Sequence, residues 1–387
     1  MRYVGANRLT LLKNGEQYFP ALIRALDEAR EEIFLESYIF AGDQTGSLVA
    51  DALARAAARG VRVHLLIDGY GARLFPERFR RALDSAGARV LVFRPRIGFL
   101  SFKRSRLRRM HRKLACVDGC IAFVGGINII DDYETPLDDP RVTAPRYDYA
   151  VRIEGPLASE PRAAAARLWD RVSWAAMRGR GRQPALARAC AGAGDQRAAL
   201  VVRDGLRHRR DIENAYLEQL DAARVEVIIA CAYFLPGRRF RRALIAAARR
   251  KVRVRLLLQG KIDHPLMHYA SLGLYGAFLD AGIEIYEYHH SLLHAKVAVF
   301  DRRVACIGSS NIDPFSLLLA REANVFVDDA GFAAELLLSL EEAMRIGASV
   351  LAPSHWHRQP WWRRVRIRLG YAIVRMLISF SGIERYH

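Results

Sequence analysis

A histidine and a lysine two residues apart, with an aspartate five further on, occur twice in this chain. The first copy is His111, Lys113 and Asp118, followed by Gly125, Gly126 and Asn128. The second is His294, Lys296 and Asp301, followed by Gly308, Ser309 and Asn311, each shared position recurring 183 residues later. Both copies lie in apolar runs where packing alone would accept Val or Ile, so the polar residues point to chemistry. On a strand, residues i and i+2 share a side, so each His faces one site together with its Lys. An imidazole beside a fixed ammonium suits a phosphate. The lysine holds phosphoryl oxygens while the histidine acts on phosphorus or on the departing oxygen. The glycines and the Asn fit a tight turn with further donors to the same oxygens. A covalent phosphoryl mechanism uses two histidines, a nucleophile and an opposed general acid, and two copies supply both. One His-x-Lys alone is as well explained by a structural strand; the duplicated set is not.

The rest of the chain reads as the scaffold that brings the copies together. Residues 15–32 carry Tyr18, Phe19, Leu22, Ile23, Leu26 and Ala29 at helical spacing, and 33–40 form an apolar strand. A helix over 46–59, ended by Gly60, leads to a strand over 61–67. Another over 79–86, stopped by Gly87, leads to a strand over 89–93. This alternation predicts an α/β fold with a sheet covered on both faces. The order then recurs. Leu26–Glu32 matches Leu220–Glu226 at an offset of 194, Arg59–Leu66 matches Arg250–Leu257 at 191, and Gly87–Val92 matches Gly282–Glu287 at 195. The drop to 183 leaves about twelve extra residues before His111. They fall in Arg96–Met110, a basic stretch with Phe99, Leu100 and Phe102. It reads as a rim to the active-site mouth, with a solvated loop the alternative. Repetition at this scale marks an internal duplication. It sets domains at 1–177 and 197–350, a Gly/Ala/Arg-rich linker at 178–196 and a basic tail at 351–387. The two copies are expected to face each other across one pseudo-twofold site.

A chain of 387 residues is too long for one ordinary core, which agrees with two domains. Its net charge of +19 reads either as arginine-rich helix faces or as attraction to an anionic partner, nucleic acid or anionic lipid. In the tail, Trp362, Val365, Leu369, Ile373 and Met376 share one helical face and Arg364, Arg368 and Arg375 another. That pattern fits a helix lying in a membrane interface, or else one packed on the second domain. Five scattered cysteines, Cys116, Cys120, Cys190, Cys231 and Cys306, match no zinc spacing. They are read as thiols of a reducing compartment, without disulfides. The first residues carry no apolar core of signal-peptide length, and no segment reaches the roughly 18 apolar residues of a spanning helix. A cytosolic or inner-face location is expected. His289 and His290, like His264 and His268, lack further ligands, so no metal is expected.

Both motif copies resemble the paired H-x-K-x4-D-x6-G-G/S-x-N signature of the phospholipase D superfamily. The stretches Asn14-Gly15, Glu36–Phe40, Arg59–Val63, Arg152–Pro156 and Tyr286–Tyr288, with the Trp361–Arg364 tail, resemble its bacterial cardiolipin synthase branch. The resemblance implies two duplicated α-β-α sandwich domains with mixed sheets, related by a pseudo-twofold axis, and an active site at their interface. It implies His111 as nucleophile, forming a phosphohistidine, and His294 as the acid and base for leaving and accepting alcohols. Lys113, Lys296, Asn128 and Asn311 hold the phosphate oxygens. A carboxylate downstream of each motif supports that motif's His, Asp148 in the first half and Glu322 in the second. Asp118 and Asp301 are counted with His111, Lys113, His294 and Lys296 in the catalytic motif, though such motif acids more often serve structure, through salt bridges, than proton transfer. The activity implied is transfer of a phosphatidyl group from one phosphatidylglycerol to another, giving cardiolipin and glycerol. No cofactor is implied, and the partner is an anionic membrane at its cytoplasmic face rather than nucleic acid. Hydrolysis, transfer to another alcohol and cleavage of nucleic acid are the competing activities.

Overall fold

The computed structural model describes residues 1–95, 108–134, 144–176, 190–205, 208–262 and 265–380. Most of the basic stretch before His111, most of the linker, His264 and the side chain of Arg364 lie outside the described residues. The first half contributes strands β1 (Val4–Lys13), β2 (Glu32–Ile39), β3 (Arg62–Gly71), β4 (Arg89–Phe93), β5 (Lys113–Val117), β6 (Ile121–Gly125) and β7 (Tyr149–Glu154). Its helices are α1 (Asn14–Glu28), α2 (Gln44–Ala58), α3 (Glu77–Ser85) and α4 (Ser159–Ala175). The second half contributes β8 (Gln196–Arg203), β9 (Glu226–Cys231), β10 (Arg253–Gln259), β11 (Glu284–Tyr288), β12 (Lys296–Phe300), β13 (Val304–Gly308), β14 (Glu322–Asp328) and β15 (Ala348–Val350). Its longer helices are α5 (Asp211–Ala222), α6 (Arg238–Arg249), α7 (Pro265–Asp280), α8 (Ala330–Gly347) and α9 (Trp361–Phe380).

Elements end where local chemistry ends them. Asp43 caps α2 by accepting the Gly46 N–H at 2.7 Å. Gly60, at φ +89°, takes the left-handed turn that stops the same helix. The strands expected over 33–40, 61–67 and 89–93 all form, with ends shifted by a few residues at most.

The described strands make one mixed sheet, in the order β15-β11-β10-β9-β12-β13-β14-β8-β1-β7-β6-β5-β2-β3-β4. Outward from the β1–β8 seam the two halves repeat one order, strand for strand, apart from the edge strand β15. Pairs β2–β3, β3–β4, β9–β10 and β10–β11 are parallel. The seam is antiparallel and irregular, with Val4 opposite Ala198 and Asn7 opposite Gln196. Asn7 is fully buried at the irregularity, donating to the Val4 carbonyl at 2.8 Å and accepting from Leu157 N–H at 2.9 Å. These bonds satisfy backbone groups that the broken ladder leaves open.

One sheet face carries a core that runs across both halves, under Leu168 and Trp169 of α4 and Phe332, Leu336 and Leu340 of α8. The other face carries a separate core in each half, beneath α1–α3 on one side and α5–α7 with α9 on the other. Helices therefore cover both faces, as the alternation of elements requires.

Two expectations change here. Cys120, at the tip of the β5–β6 hairpin, forms a disulfide with Cys190, Cα atoms 5.2 Å apart and 70 residues distant in sequence. The disulfide-free reading is thus corrected: chain spacing carries no signal of a linker end returning to a hairpin tip. Cys116, Cys231 and Cys306 are free and buried. The tail helix packs on the second domain, as one of its two readings expects, and keeps an apolar face uncovered. Ile367 and Val374 are buried in the second-half core, and Gly273 and Gly370 let α7 and α9 approach closely. The stripe of Trp362, Val365, Leu369 and Met376 is still exposed, with Trp361 76 % exposed beside it. Among the described residues no helix is long and apolar enough to cross a membrane.

Candidate active site

The motif histidines precede matched strands, His111 before β5 and His294 before β12, and Lys113 and Lys296 open those strands. Pleating sends Arg112 the other way. Fully buried, Arg112 binds both oxygens of Glu36 at 2.8 Å. The corresponding second-half residues are Ala295 and Ala230, so this ion pair belongs to one half only.

Each motif enters its strand alongside the other half of the chain. Met110 bridges Arg321, and Tyr147 bridges Leu293. His111 N–H donates to the Arg321 carbonyl at 3.0 Å, and His294 N–H to the Tyr147 carbonyl at 2.9 Å. The next residue on each partner segment is a carboxylate. Glu322 therefore reaches His111, with Oε1 3.0 Å from Nδ1, and Asp148 reaches His294, with Oδ2 2.5 Å from Nδ1. The expected pairing within each half is corrected: both pairs cross between halves, because the bridges set each histidine beside the opposite carboxylate. With Nδ1 engaged, Nε2 is the ring nitrogen left for a substrate.

Both carboxylates are buried, and the imidazoles are only 16 % and 18 % exposed. Lys113 Nζ donates to the His111 carbonyl at 2.8 Å, and Lys296 Nζ to that of His294. Asn128 accepts the Ile39 N–H at Oδ1, 3.2 Å, which leaves its amide donors for an oxygen anion. Asn311, also buried, holds the same place beside Cys231. Tyr38, not singled out from sequence, stands edge-on to His111 at 4.8 Å. Its only signal is membership of the Glu36–Phe40 stretch.

Asp118 and Asp301 lie away from this cluster. Each sits at φ +50° in a hairpin turn and accepts three backbone N–H groups, from Arg30, Glu31 and Glu32 or from Arg224, Val225 and Glu226, at 2.8–3.0 Å. Their place in the catalytic set is therefore corrected: among the described residues each binds backbone amides of the strand entry rather than the histidines or the salt-bridge partners expected. No group of three His, Cys, Asp or Glu side chains among the described residues is arranged to hold a metal ion.

The turns differ between halves for a steric reason. A Cβ at Gly126 would run into the Asp148 carboxylate. The matching Ser309 instead donates to Glu322 Oε2 at 2.5 Å. The shorter Asp needs a glycine beside it, and the longer Glu leaves room for a hydroxyl.

Burial sets the protonation of the site. It pushes Lys113 down to about 7, with Lys296 adding repulsion, and lowers Lys296 as well. It holds His111 below the usual histidine range against the pull of Glu322. It raises Asp148 to about 6 and lowers His294 well below its ordinary value, so the low-dielectric site favours their neutral forms.

The family description "Cardiolipin synthase, PLD-like domain" matches residues 22–135 and 216–344, which contain both motifs. Cardiolipin synthase B of Escherichia coli (strain K12) is 38% identical over 385 residues, covering 97% of this chain and 90% of that one. The chain belongs to the cardiolipin synthase family of the phospholipase D superfamily. Cardiolipin synthase B of Salmonella typhimurium (strain LT2) is 36% identical over the same shares of both chains. The fold is also that of the phosphatidylserine synthase of Haemophilus influenzae Rd KW20. That structure matches with a TM-score of 0.65 at 12% identity, over 97% of this chain and 95% of the other. As a member of this family the chain is a phosphatidyltransferase.

Two outcomes test the geometry. Gly126→Ala should push Asp148 off His294 and lower kcat about 100-fold, the scale of a misplacement near 1 Å; an unchanged kcat counts against the steric reading. The Lys113 ammonium, present at low pH, is lost as pH rises through about 7 in the free enzyme. The alkaline limb of kcat/KM should therefore fall near pH 7. A bound phosphodiester anion holds that proton, so the limb of kcat should lie higher; pH-rate profiles with coincident limbs above pH 9 would refute this.

Proposed function

We propose that this enzyme is a cardiolipin synthase, joining two phosphatidylglycerol molecules through a phosphohistidine. The observation that carries the proposal is the pair of largely enclosed histidines with Nδ1 held and, among the described residues, Nε2 free, each beside a lysine. His111 Nε2 attacks the phosphorus of the first phosphatidylglycerol. The bond from phosphorus to the glycerol oxygen breaks, and that oxygen takes a proton from His294 Nε2. The hydroxyl of a second phosphatidylglycerol then gives its proton to His294 and attacks phosphorus. The P–N bond to His111 breaks, and cardiolipin leaves. Lys113, Lys296, Asn128 and Asn311 carry the oxygens' negative charge, with no metal ion or other cofactor in the scheme. One phosphodiester replaces another, so no energy source is required, while burial keeps water from the phosphohistidine.

The proposed domains are 1–177 and 197–350, joined by the linker 178–196. The tail, 351–387, is the membrane contact. Its exposed Trp361, Trp362, Val365 and Leu369 suit the interface of an anionic bilayer, and the net charge of +19 suits its surface.

Incubation of the pure protein with phosphatidylglycerol vesicles should yield cardiolipin and glycerol in EDTA as in its absence. Phosphatidic acid alone would make it a hydrolase. His111→Ala and His294→Ala should each remove turnover by at least about 1000-fold; substantial activity in either sinks the two-histidine scheme. A Trp362→Ser/Leu369→Ser variant leaves the buried face of α9 intact and should lose binding to anionic vesicles. Unchanged sedimentation with those vesicles would refute the membrane contact.

A further inference from the structure

The two halves differ beside their histidines, and the difference opens room on one side. Strands β2 and β9 correspond without insertion, since the bridges Phe40–Ile129 and Phe234–Ile312 are equivalent. Tyr38 and Ala232 therefore hold the same place. In the first half the Tyr38 ring fills it, edge-on to His111, stacked on Tyr70 at 5.5 Å and 5.2 Å from Lys113 Nζ. In the second half only a methyl group stands there. A small recess, open to solvent on one side, lies there, lined among others by Ala232, Tyr233, Gln259, Lys261, His268 and Ser271. It adjoins the motif directly: Ala232 N–H bonds the carbonyl of Ala295, between His294 and Lys296, at 3.1 Å.

A second exchange points the same way. Asp68 and Gln259 are equivalent, and each accepts the N–H of the residue just before its motif His. Met110 donates to Asp68 Oδ2 at 2.8 Å, and Leu293 to Gln259 Oε1 at 3.2 Å. The other Asp68 oxygen is taken by Arg109, whose Nε lies 2.9 Å away. The other end of Gln259 is Nε2, buried and without a hydrogen-bond partner among the described residues. Gln259 itself is only 7 % exposed. Because the Leu293 N–H requires an acceptor, the oxygen faces it and the orphan is fixed as the donor. A buried donor left unpaired beside an open recess is a group awaiting a ligand acceptor.

We propose that this recess is the subsite for the headgroup of the acceptor alcohol, a small polyol. Gln259 Nε2 donates to one hydroxyl oxygen. Ser271 Oγ, whose own proton goes to the Met267 carbonyl at 3.0 Å, accepts from another. Lys261 attracts the anionic lipid that carries the headgroup. A hydroxyl so held lies on the His294 side, opposite a His111 side occupied by Tyr38 and Arg109. Its oxygen attacks the phosphorus on His111, the P–N bond breaks, and its proton passes to His294 Nε2. The inference rests on the phosphatidyl-transfer reading above and assigns the two halves different substrates.

The test compares the full-length protein with Ala232→Tyr, which copies the first half into the recess, and Gln259→Glu. The second variant keeps the size and the acceptor for Leu293, so it carries the test if the first fails to fold. With phosphatidylglycerol vesicles, the ratio of cardiolipin to phosphatidic acid should fall about tenfold in each variant. A parallel arm supplies cardiolipin vesicles with free glycerol and measures the KM for glycerol. A rise there as well assigns the recess to the glyceryl group itself; a change in the lipid arm alone assigns it to a lipid-borne headgroup. Wild-type ratios and KM in both variants would overturn the subsite. A wild-type protein that makes neither product would instead bring down the transfer reading beneath it.

Discussion

Each motif histidine is oriented by a carboxylate that the opposite half of the chain supplies, and the site exists only because those two bonds cross. His111 with Glu322 and His294 with Asp148 depend on backbone bridges at Met110–Arg321 and Tyr147–Leu293. Those bridges in turn depend on the antiparallel seam of β1 and β8, which fixes one sheet half against the other. Neither half alone holds a histidine with its partner. A hydrogen bond to Nδ1 sets the tautomer and leaves Nε2 facing the site, so the seam's geometry reaches that ring nitrogen in two steps.

The electrostatics follow from the same burial. Two lysines, two histidines and two carboxylates share a space largely removed from water, where charged forms are penalised. Burial lowers both lysines and raises Asp148. A phosphodiester anion entering this cluster restores the ammonium forms, so binding and protonation are coupled. In the proposed scheme that coupling supplies the two ammonium groups that stabilise the charge alongside the Asn128 and Asn311 amides.

The duplication is symmetric in backbone and asymmetric in side chains, and the asymmetry is concentrated around the histidines. Gly126 accommodates Asp148 where Ser309 binds Glu322. Arg112 and Glu36 form a buried pair where the second half has alanines. Tyr38 and Arg109 occupy positions that Ala232 and Leu292 leave small or apolar. In the proposed transfer between two lipids the two sides take different substrates, and these exchanges are what sets the sides apart.

Residue types and spacing carried a large part of this. The paired His, Lys and Asn, the repeat and its offsets, the α/β alternation and the family were all legible, because a polar residue inside an apolar strand and a duplicated order are local signals. The sequence also marked the tail as amphipathic; the structure packs one side of it on the second half and leaves the Trp362, Val365 and Leu369 side uncovered. What it did not show were contacts between distant segments. The strands β1 and β8 have too little local patterning to stand out, since pairing across about 190 residues is what buries them. The crossing of Asp148 and Glu322, the return of Cys190 to Cys120 and the backbone role of Asp118 and Asp301 are likewise set by which segments meet. The sequence alone determined which groups are present and that they come in two copies. Only the tertiary structure decided which carboxylate serves which histidine and where the recess opens, because both depend on the register of the two halves rather than on any run of neighbouring residues.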